Sequence, residues 1–150
     1  MKSPTFEVYN DSFGAKVVGK IAQSGIDGFL GITITELGPG TLTARFDVRP
    51  DHITIMGSMH GGCLAAFCDH LLGVIMYPVM PAGYWAATTE FKLNYLNPVK
   101  SGSCVASARI VSMSRRLAVV LIEIENEGRP VCVAQGTCTI VAPKPKNESN

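Results

Sequence analysis

The sequence lacks the features that mark disulfide-bonded, zinc-binding or nucleic-acid-binding proteins. Its five cysteines are odd in number, and none forms a CxxC pair or a finger-like spacing with histidine. The net charge is only +1 and the pI about 7.6, which indicates neither a nucleic-acid groove nor a polybasic membrane face. We therefore expect no metal, no nucleic-acid partner, and reduced, mostly buried thiols at Cys63, Cys68, Cys104, Cys132 and Cys138.

Signals for a phosphate-binding loop and for export are not evident either. Gly38-Pro39-Gly40 separates two predicted strands, whereas a phosphate loop joins a strand to a helix. Residues 1–9 contain one lysine and no apolar h-region. The central apolar segment contains Asp69 and His70, and we interpret it as too short to span a bilayer. A cytoplasmic protein without a membrane partner is expected.

Length and composition are those of one globular domain. A chain of 150 residues can bury a real core but is too short for two ordinary domains, so we assign residues 1–150 to a single domain. Hydrophobic residues make up 47% and charged residues 17%, which excludes general disorder. So apolar a composition indicates that another subunit covers part of the surface. Homo-oligomerisation is therefore expected.

The segment from Met56 to Tyr77 is the longest apolar stretch and organises the predicted fold. Gly61-Gly62 opens a helix in which nearly every side chain is small or apolar. Helical spacing separates a bulky face, which would pack on a sheet, from a stripe of small residues that surrounds Asp69. The bulky face is Leu64, Phe67, Cys68, Leu71, Leu72 and Ile75, and the stripe is Gly62, Ala65, Ala66, Asp69, Gly73 and Met76.

Asp69 and the helix start are the candidate chemical groups. A carboxylate buried on such a helix needs a partner or has a raised pKa, as general bases often do; the alternative is a structural carboxylate. The amides of Gly61 and Gly62 could bind an anion or polarise a carbonyl oxygen. Gly61 and Asp69 are separated by about 12 Å along a helix, too far to meet one carbonyl. Two antiparallel copies in a dimer would bring them together.

The remaining pattern predicts an α+β fold in which a curved antiparallel sheet wraps around one long central helix. Residues 1–27 form an N-terminal helical segment, with Gly25 as its stop, and residues 143–150 form a flexible tail. The predicted strands are Phe29 to Glu36, Thr41 to Val48, Trp85 to Leu96, Ser103 to Ser112, Leu117 to Asn126 and Pro130 to Val141.

Three motifs, in this order, resemble the hotdog-fold acyl-CoA thioesterases, specifically the phenylacetate-pathway branch. They are Gly57-Ser58-Met59-His60-Gly61-Gly62 with Asp69 nine residues after His60, the run from Thr88 to Pro98, and the run from Gly128 to Gly136. The resemblance implies a hotdog fold over residues 28–142, and dimers or tetramers built on a shared sheet with adjacent antiparallel helices.

The resemblance also implies roles for individual residues. Asp69 would act as base or nucleophile on the thioester, and the Gly61 amide would polarise the carbonyl. His60 would start the helix and orient the site, and Thr88, with Thr89 beside it, would position the attacking water. Relatives often carry Asn or Gln where this chain has Thr54. Thr54 would then act through a water, or the oxyanion site would depend mainly on Gly61.

Four further basic residues have either a chemical or a structural interpretation. Arg115 and Arg116, in a predicted strand turn, could hold the phosphates of coenzyme A, because arginine suits bidentate phosphate contact. His52 and His70 fit no known metal-ligand spacing and could be structural.

Three functions compete on this pattern. The first is hydrolysis of an acyl-CoA to a free acid and coenzyme A, with no cofactor beyond the coenzyme A of the substrate. The second is a non-catalytic acyl-CoA or ligand-binding module on the same fold, which Thr54 favours. The third, dehydration of hydroxyacyl thioesters, needs a His and Glu pattern that is not found in this sequence.

Overall fold

The computed structural model describes residues 4–20 and 24–144. Three α-helices and six strands lie within these residues. The helices are α1 (Ser12–Val17), α2 (Gly25–Leu30) and α3 (Gly61–Val74). The strands are β1 (Thr33–Gly38), β2 (Thr41–Asp47), β3 (Trp85–Tyr95), β4 (Ser103–Met113), β5 (Leu117–Asn126) and β6 (Arg129–Val141).

The six strands form one antiparallel sheet in the order β1-β2-β4-β5-β6-β3. The crossover occurs because β3 pairs with the last strand, so β1 and β3 are the two edges of the sheet. The sheet curves around α3, which confirms the hotdog fold expected from the sequence.

The bulky face of α3 packs on the sheet as its spacing predicted. Leu64, Phe67, Cys68, Leu71, Leu72 and Ile75 are all buried. The alternating strand residues supply the other half of the core, with Phe46 stacking edge-on against Phe67 at 4.9 Å between ring centroids. Burial of this apolar surface is the main favourable contribution to folding, at about 25 cal/mol per Å² removed from water.

The segment before β1 differs from the sequence prediction. The strand expected from Phe29 begins only at Thr33, and Gly25, expected to stop a helix, instead begins α2. Gly31, with φ 70°, ends α2 in the left-handed conformation that glycine adopts readily. Two bounding glycines thus make a six-residue helix, and the apolar Phe29 and Leu30 at its end were included in the predicted strand.

Parts of the terminal predictions fall outside the described residues. In the N-terminal segment, α1 and the start of α2 are helical, whereas residues 1–3 and 21–23 lie outside the description. Most of the predicted tail, residues 145–150, lies outside it as well. The Phe13 ring stacks on Tyr77 at 5.0 Å, which fixes α1 beyond the end of α3.

The central apolar segment is long and apolar enough by composition to cross a membrane, contrary to our estimate of its length. The 19 residues Gly61–Val79 meet that criterion, yet 56% of the most apolar window is buried inside the fold. The helix itself ends at Val74, and a short 3-10 turn, Tyr77–Val79, follows it. A buried core helix therefore explains the apolar composition of Gly61–Val79.

All five cysteines are free and buried, as expected. Burial raises the pKa of Cys104 to about 12, with smaller contributions from the nearby Cys63 and Glu127. A thiol with so high a pKa is protonated at neutral pH and is a poor nucleophile. Cys104 therefore serves the core.

Gly136 sets the distance between α3 and the sheet. A Cβ added to this buried residue of β6 would lie 2.6 Å from a Leu72 methyl and 2.9 Å from the Phe91 Cβ.

We predict that Gly136→Ala lowers the free energy of unfolding by about 1–3 kcal/mol, the usual cost of overpacking. Urea unfolding followed by circular dichroism measures this, with Gln135→Ala, at the exposed neighbouring position, as control. Equal stability of Gly136→Ala and the parent would show that the contact is loose.

Candidate active site

Two hydrogen bonds build the start of α3. His60 is the N-cap, and its Nδ1 accepts the Gly62 N–H at 2.9 Å. A Cβ on Gly62 would lie 2.7 Å from that nitrogen, so the cap requires glycine there. On the other side the Tyr95 hydroxyl donates to the Gly61 carbonyl at 3.0 Å. A Cβ on Gly61 would lie 2.8 Å from the Tyr95 ring, so this position too favours glycine.

Two N–H groups at the helix start remain able to donate to a ligand. As the first residue of α3, Gly61 has no acceptor for its N–H within the helix, and it lies at the positive end of the helix dipole. The Gly62 N–H, by contrast, already donates to His60. Because Nδ1 of His60 accepts, a neutral ring carries its proton on Nε2. The helix start therefore offers the Gly61 amide and the exposed His60 Nε2–H.

Asp69 lies on the open side of α3 and is exposed in the single chain, not buried as its apolar surroundings suggested. Its neighbours one turn away, Ala66 and Gly73, are small and only partly covered. The carboxylate is within electrostatic reach of Cys138 on β6: burial, with a smaller contribution from the Asp69 charge, raises the pKa of that thiol to about 11. An accessible carboxylate on this face can take a proton from a water.

The two candidate threonines of β3 lie on opposite faces of the sheet. Thr88 pairs with Cys138, whose Sγ contacts the Leu72 carbonyl of α3 at 3.3 Å, so Thr88 is on the helix side. Thr89 sits at a β-bulge, and its hydroxyl is bonded to that of Thr139 on the other face. This corrects the sequence-based set: Thr88 can accompany Asp69, and Thr89 cannot. Ordinary strand alternation is the reason, because consecutive side chains of a strand point to opposite faces of the sheet.

Thr54 belongs to a tight loop before α3, and its hydroxyl is already engaged there. Its Oγ1 donates to the Ser58 carbonyl at 2.9 Å and accepts the Met56 N–H at 3.2 Å. A hydroxyl has one proton to donate, so this side chain has no further donor for a substrate oxygen.

Arg115 and Arg116 lie far from the start of α3 in the same chain. Both are exposed in the turn between β4 and β5. Arg115 shares a surface cavity with Val79, which comes after the C-terminal end of α3. The 14-residue helix is about 21 Å long, so the arginines and Gly61 are at opposite ends of it.

His52 and His70 have structural partners. His52 is buried; its Nδ1 accepts the Arg49 N–H at 3.1 Å, and its Nε2 lies 3.3 Å from the Phe29 carbonyl. His70 points away from Asp69 and contacts Asp27 of α2, with 2.8 Å between Nδ1 and Oδ1. Among the described residues, His, Cys, Asp and Glu form no group of three or more that could hold a metal ion.

Two cavities flank the start of α3. The one on the β3 side, about 460 Å³, is lined by Gly61, Leu64 and Tyr95 together with Leu96 to Val99. The one on the α2 side, about 250 Å³, is lined by His60, Gly62, Ile26 and Phe29 among others. Sequence reasoning missed Tyr95, Ile26 and Phe29. Tyr95 meets Gly61 across 34 residues without a sequence signal, whereas the glycines that bound α2 could have indicated a short helix.

No single copy of α3 can complete a site for one carbonyl. Gly61 and Asp69 are eight residues apart in a regular helix, which separates them by about 12 Å. The two groups are on the exposed side of the element, where a second chain can approach.

Comparison with known proteins gives consistent matches. The family model of the Thioesterase superfamily matches residues 56–133, more than half of the chain. Human acyl-coenzyme A thioesterase 13 is 24% identical over 109 residues, which are 72% of this chain and 77% of that protein.

Two solved structures are similar over most of their length. A Pseudomonas aeruginosa thioesterase, solved as a glutamine-to-alanine mutant, is 25% identical with a TM-score of 0.76, covering 93% of this chain and 96% of that one. The phenylacetic acid degradation protein PaaI of Thermus thermophilus, solved as an asparagine-to-aspartate mutant, is 30% identical with a TM-score of 0.68, covering 74% and 94%. The chain thus belongs to the Thioesterase superfamily, and it is a thioester hydrolase of the hotdog fold.

Proposed function

We propose that the protein hydrolyses an acyl-CoA thioester to a free acid and coenzyme A. One observation carries this proposal: the same helix presents both an amide donor, at Gly61, and a carboxylate, at Asp69, on its exposed side. The name of the similar human acyl-coenzyme A thioesterase supports coenzyme A as the thiol. Release of free thiol from a panel of acyl-CoA thioesters tests the proposal.

In the proposed reaction Asp69 acts as general base, with direct nucleophilic attack as the alternative. The carboxylate takes a proton from a water that Thr88 helps to position, and the hydroxide oxygen bonds to the thioester carbon. The Gly61 N–H, with the His60 Nε2–H nearby, stabilises the oxyanion that develops. Collapse of the tetrahedral intermediate breaks the carbon–sulfur bond, and the departing thiolate receives the proton held by Asp69.

The proposed site is shared between two chains. An antiparallel arrangement of two copies of α3 would bring Gly61 of one chain beside Asp69 of the other. Three features support a covered surface here: the outer edge of β3, which pairs with no other described strand, the fully exposed Ile55 in the loop before α3, and Met56 beside it at 83% exposure. A dimer, or a tetramer made of two dimers, is therefore proposed.

The shared arrangement also gives Arg115 and Arg116 a function. These side chains lie near the C-terminal end of their own α3, so antiparallel pairing would bring them towards the partner's helix start. We propose that they hold the phosphates of coenzyme A at that site, where a guanidinium suits bidentate contact.

The alternative function, a non-catalytic acyl-CoA-binding module, is supported by the absence of an oxyanion donor at Thr54. Its hydroxyl donates within its own loop, so it does not replace the carboxamide that relatives often carry. The Gly61 amide and His60 then remain as the oxyanion donors, which favours a slow hydrolase over an inactive one.

We predict that Asp69→Asn lowers the rate constant of hydrolysis by about a hundredfold or more, because the amide cannot accept the proton. Folding should be unchanged, since the side chain is exposed and the substitution nearly isosteric. Single-turnover release of coenzyme A measures the effect, with Asp11→Asn, exposed at the start of α1 and without a side-chain hydrogen bond to the helix, as the matched control. Wild-type turnover in Asp69→Asn would remove this carboxylate from the mechanism.

Thr54→Asn tests the missing donor. An added carboxamide donor would act mainly in the transition state, so we predict a higher rate constant and an unchanged affinity for the acyl-CoA. The control is Thr54→Val, which removes the hydroxyl and should loosen the loop without adding a donor. An equal or lower rate for Thr54→Asn would show that Gly61 and His60 suffice.

A further inference from the structure

We propose that α2 forms the wall of the acyl pocket, so that Ile26 and Phe29 limit the length of the acyl group. This inference rests on the proposed function and names its substrate class: a short to medium, uncharged, apolar acyl group. The two side chains lie three residues apart on one face of α2 and line the 250 Å³ cavity beside His60 and Gly62.

The exposure of this wall is unusual for large apolar side chains. Ile26 is 55% exposed and Phe29 46% exposed, although the buried Leu30 of the same helix shows that the core was within reach. A contiguous exposed apolar surface with polar groups at its rim often marks a ligand-binding groove or an interaction site. Here the polar rim contains His60, at the start of α3.

The wall is held at a fixed distance from the helix start. The His52 ring donates through Nε2 to the Phe29 carbonyl, because its Nδ1 accepts the Arg49 N–H. The His52 carbonyl in turn accepts the His60 N–H at 2.8 Å. One buried histidine therefore ties both sides of the cavity together, and we assign it a positioning function.

Two further contacts fix α2. Asp27 meets His70 of α3 at 2.8 Å, on the side of the helix next to the cavity. The Arg49 guanidinium lies 5.8 Å from the centre of the Phe29 ring, and the His52 ring packs edge-on against Phe29 at 5.5 Å. The cavity is thus largely formed before a ligand arrives, as small-molecule sites usually are.

Size and charge define the ligand. A volume of about 250 Å³ lies just below the range of drug-sized sites, about 300–1,000 Å³, and so fits a small group. Among the described residues that line the cavity there is no lysine or arginine, since the Arg49 guanidinium lies over the Phe29 ring and is not part of the lining, and Asp51 is acidic. An acyl group that ends in a carboxylate would be repelled by Asp51 and would find no ion-pair partner in that lining.

The test compares acetyl-CoA, octanoyl-CoA and succinyl-CoA with the full-length wild type and with Ile26→Trp, which fills the cavity. We expect the ratio of kcat/KM for octanoyl-CoA over acetyl-CoA to fall by about tenfold or more in Ile26→Trp. Tyr9→Ala, which truncates an aromatic side chain of similar exposure outside the cavity, should leave the ratio unchanged. Thermal unfolding verifies that each variant folds.

An unchanged ratio in Ile26→Trp, or turnover of succinyl-CoA equal to that of octanoyl-CoA, would overturn the proposal. Calorimetric titration of Asp69→Asn with octanoyl-CoA, with and without Ile26→Trp, separates this failure from failure of the proposed function. If the wild type releases no thiol yet Ile26→Trp weakens octanoyl-CoA binding about tenfold, hydrolysis is wrong and the acyl wall stands. Absence of both turnover and binding would overturn both.

Discussion

The start of α3 is the constraint on which the rest of the structure depends. His60 can cap the helix only because Gly62 has no Cβ, and Tyr95 can reach the Gly61 carbonyl only because Gly61 has none either. The first contact ties the helix to the loop before it, and the second ties it to the edge strand β3. The Gly61 N–H is then directed outwards with its carbonyl held. The residues that fix the start of the core helix therefore also position the candidate oxyanion donor.

The consequences of this arrangement extend along both flanks of the helix. On one flank β3 ends at Tyr95, so the outer edge of that strand and the helix start lie side by side, where the proposed second chain would approach. On the other flank His52 connects the helix start to α2, which gives the candidate acyl wall its position. The bulky face between them packs on the sheet and takes no part in chemistry. Different sides of one helix thus serve the core, the proposed contact with a second chain and the proposed contact with the substrate.

The sequence was sufficient for the features that depend on local pattern. The alternation of β-branched residues predicted five of the strands closely, and the apolar spacing of the central segment predicted the bulky buried face of α3, although Met76, assigned to the small-residue stripe, is buried as well. It was insufficient where a contact joins distant residues. Which of Thr88 and Thr89 faces the helix depends on their pairing with β6, and the engagement of the Thr54 hydroxyl depends on the loop that folds back on Ser58. Asp69 is exposed because the described part of the chain leaves this side of α3 uncovered. Amino-acid composition does not show which side of a helix the rest of the chain covers.

The central claim, that each site combines Gly61 of one chain with Asp69 of the other, has a direct test. Asp69→Asn and Gly61→Ala, whose added Cβ would meet Tyr95 and disturb the helix start, are each expected to be nearly inactive alone. Co-expression at equal amounts produces mixed dimers in half of the random pairings, and each mixed dimer holds one intact site of two. The account therefore predicts recovery of about a quarter of the wild-type rate, as for any two-fold interface. No recovery in a mixture shown by mass spectrometry to contain mixed dimers would contradict it.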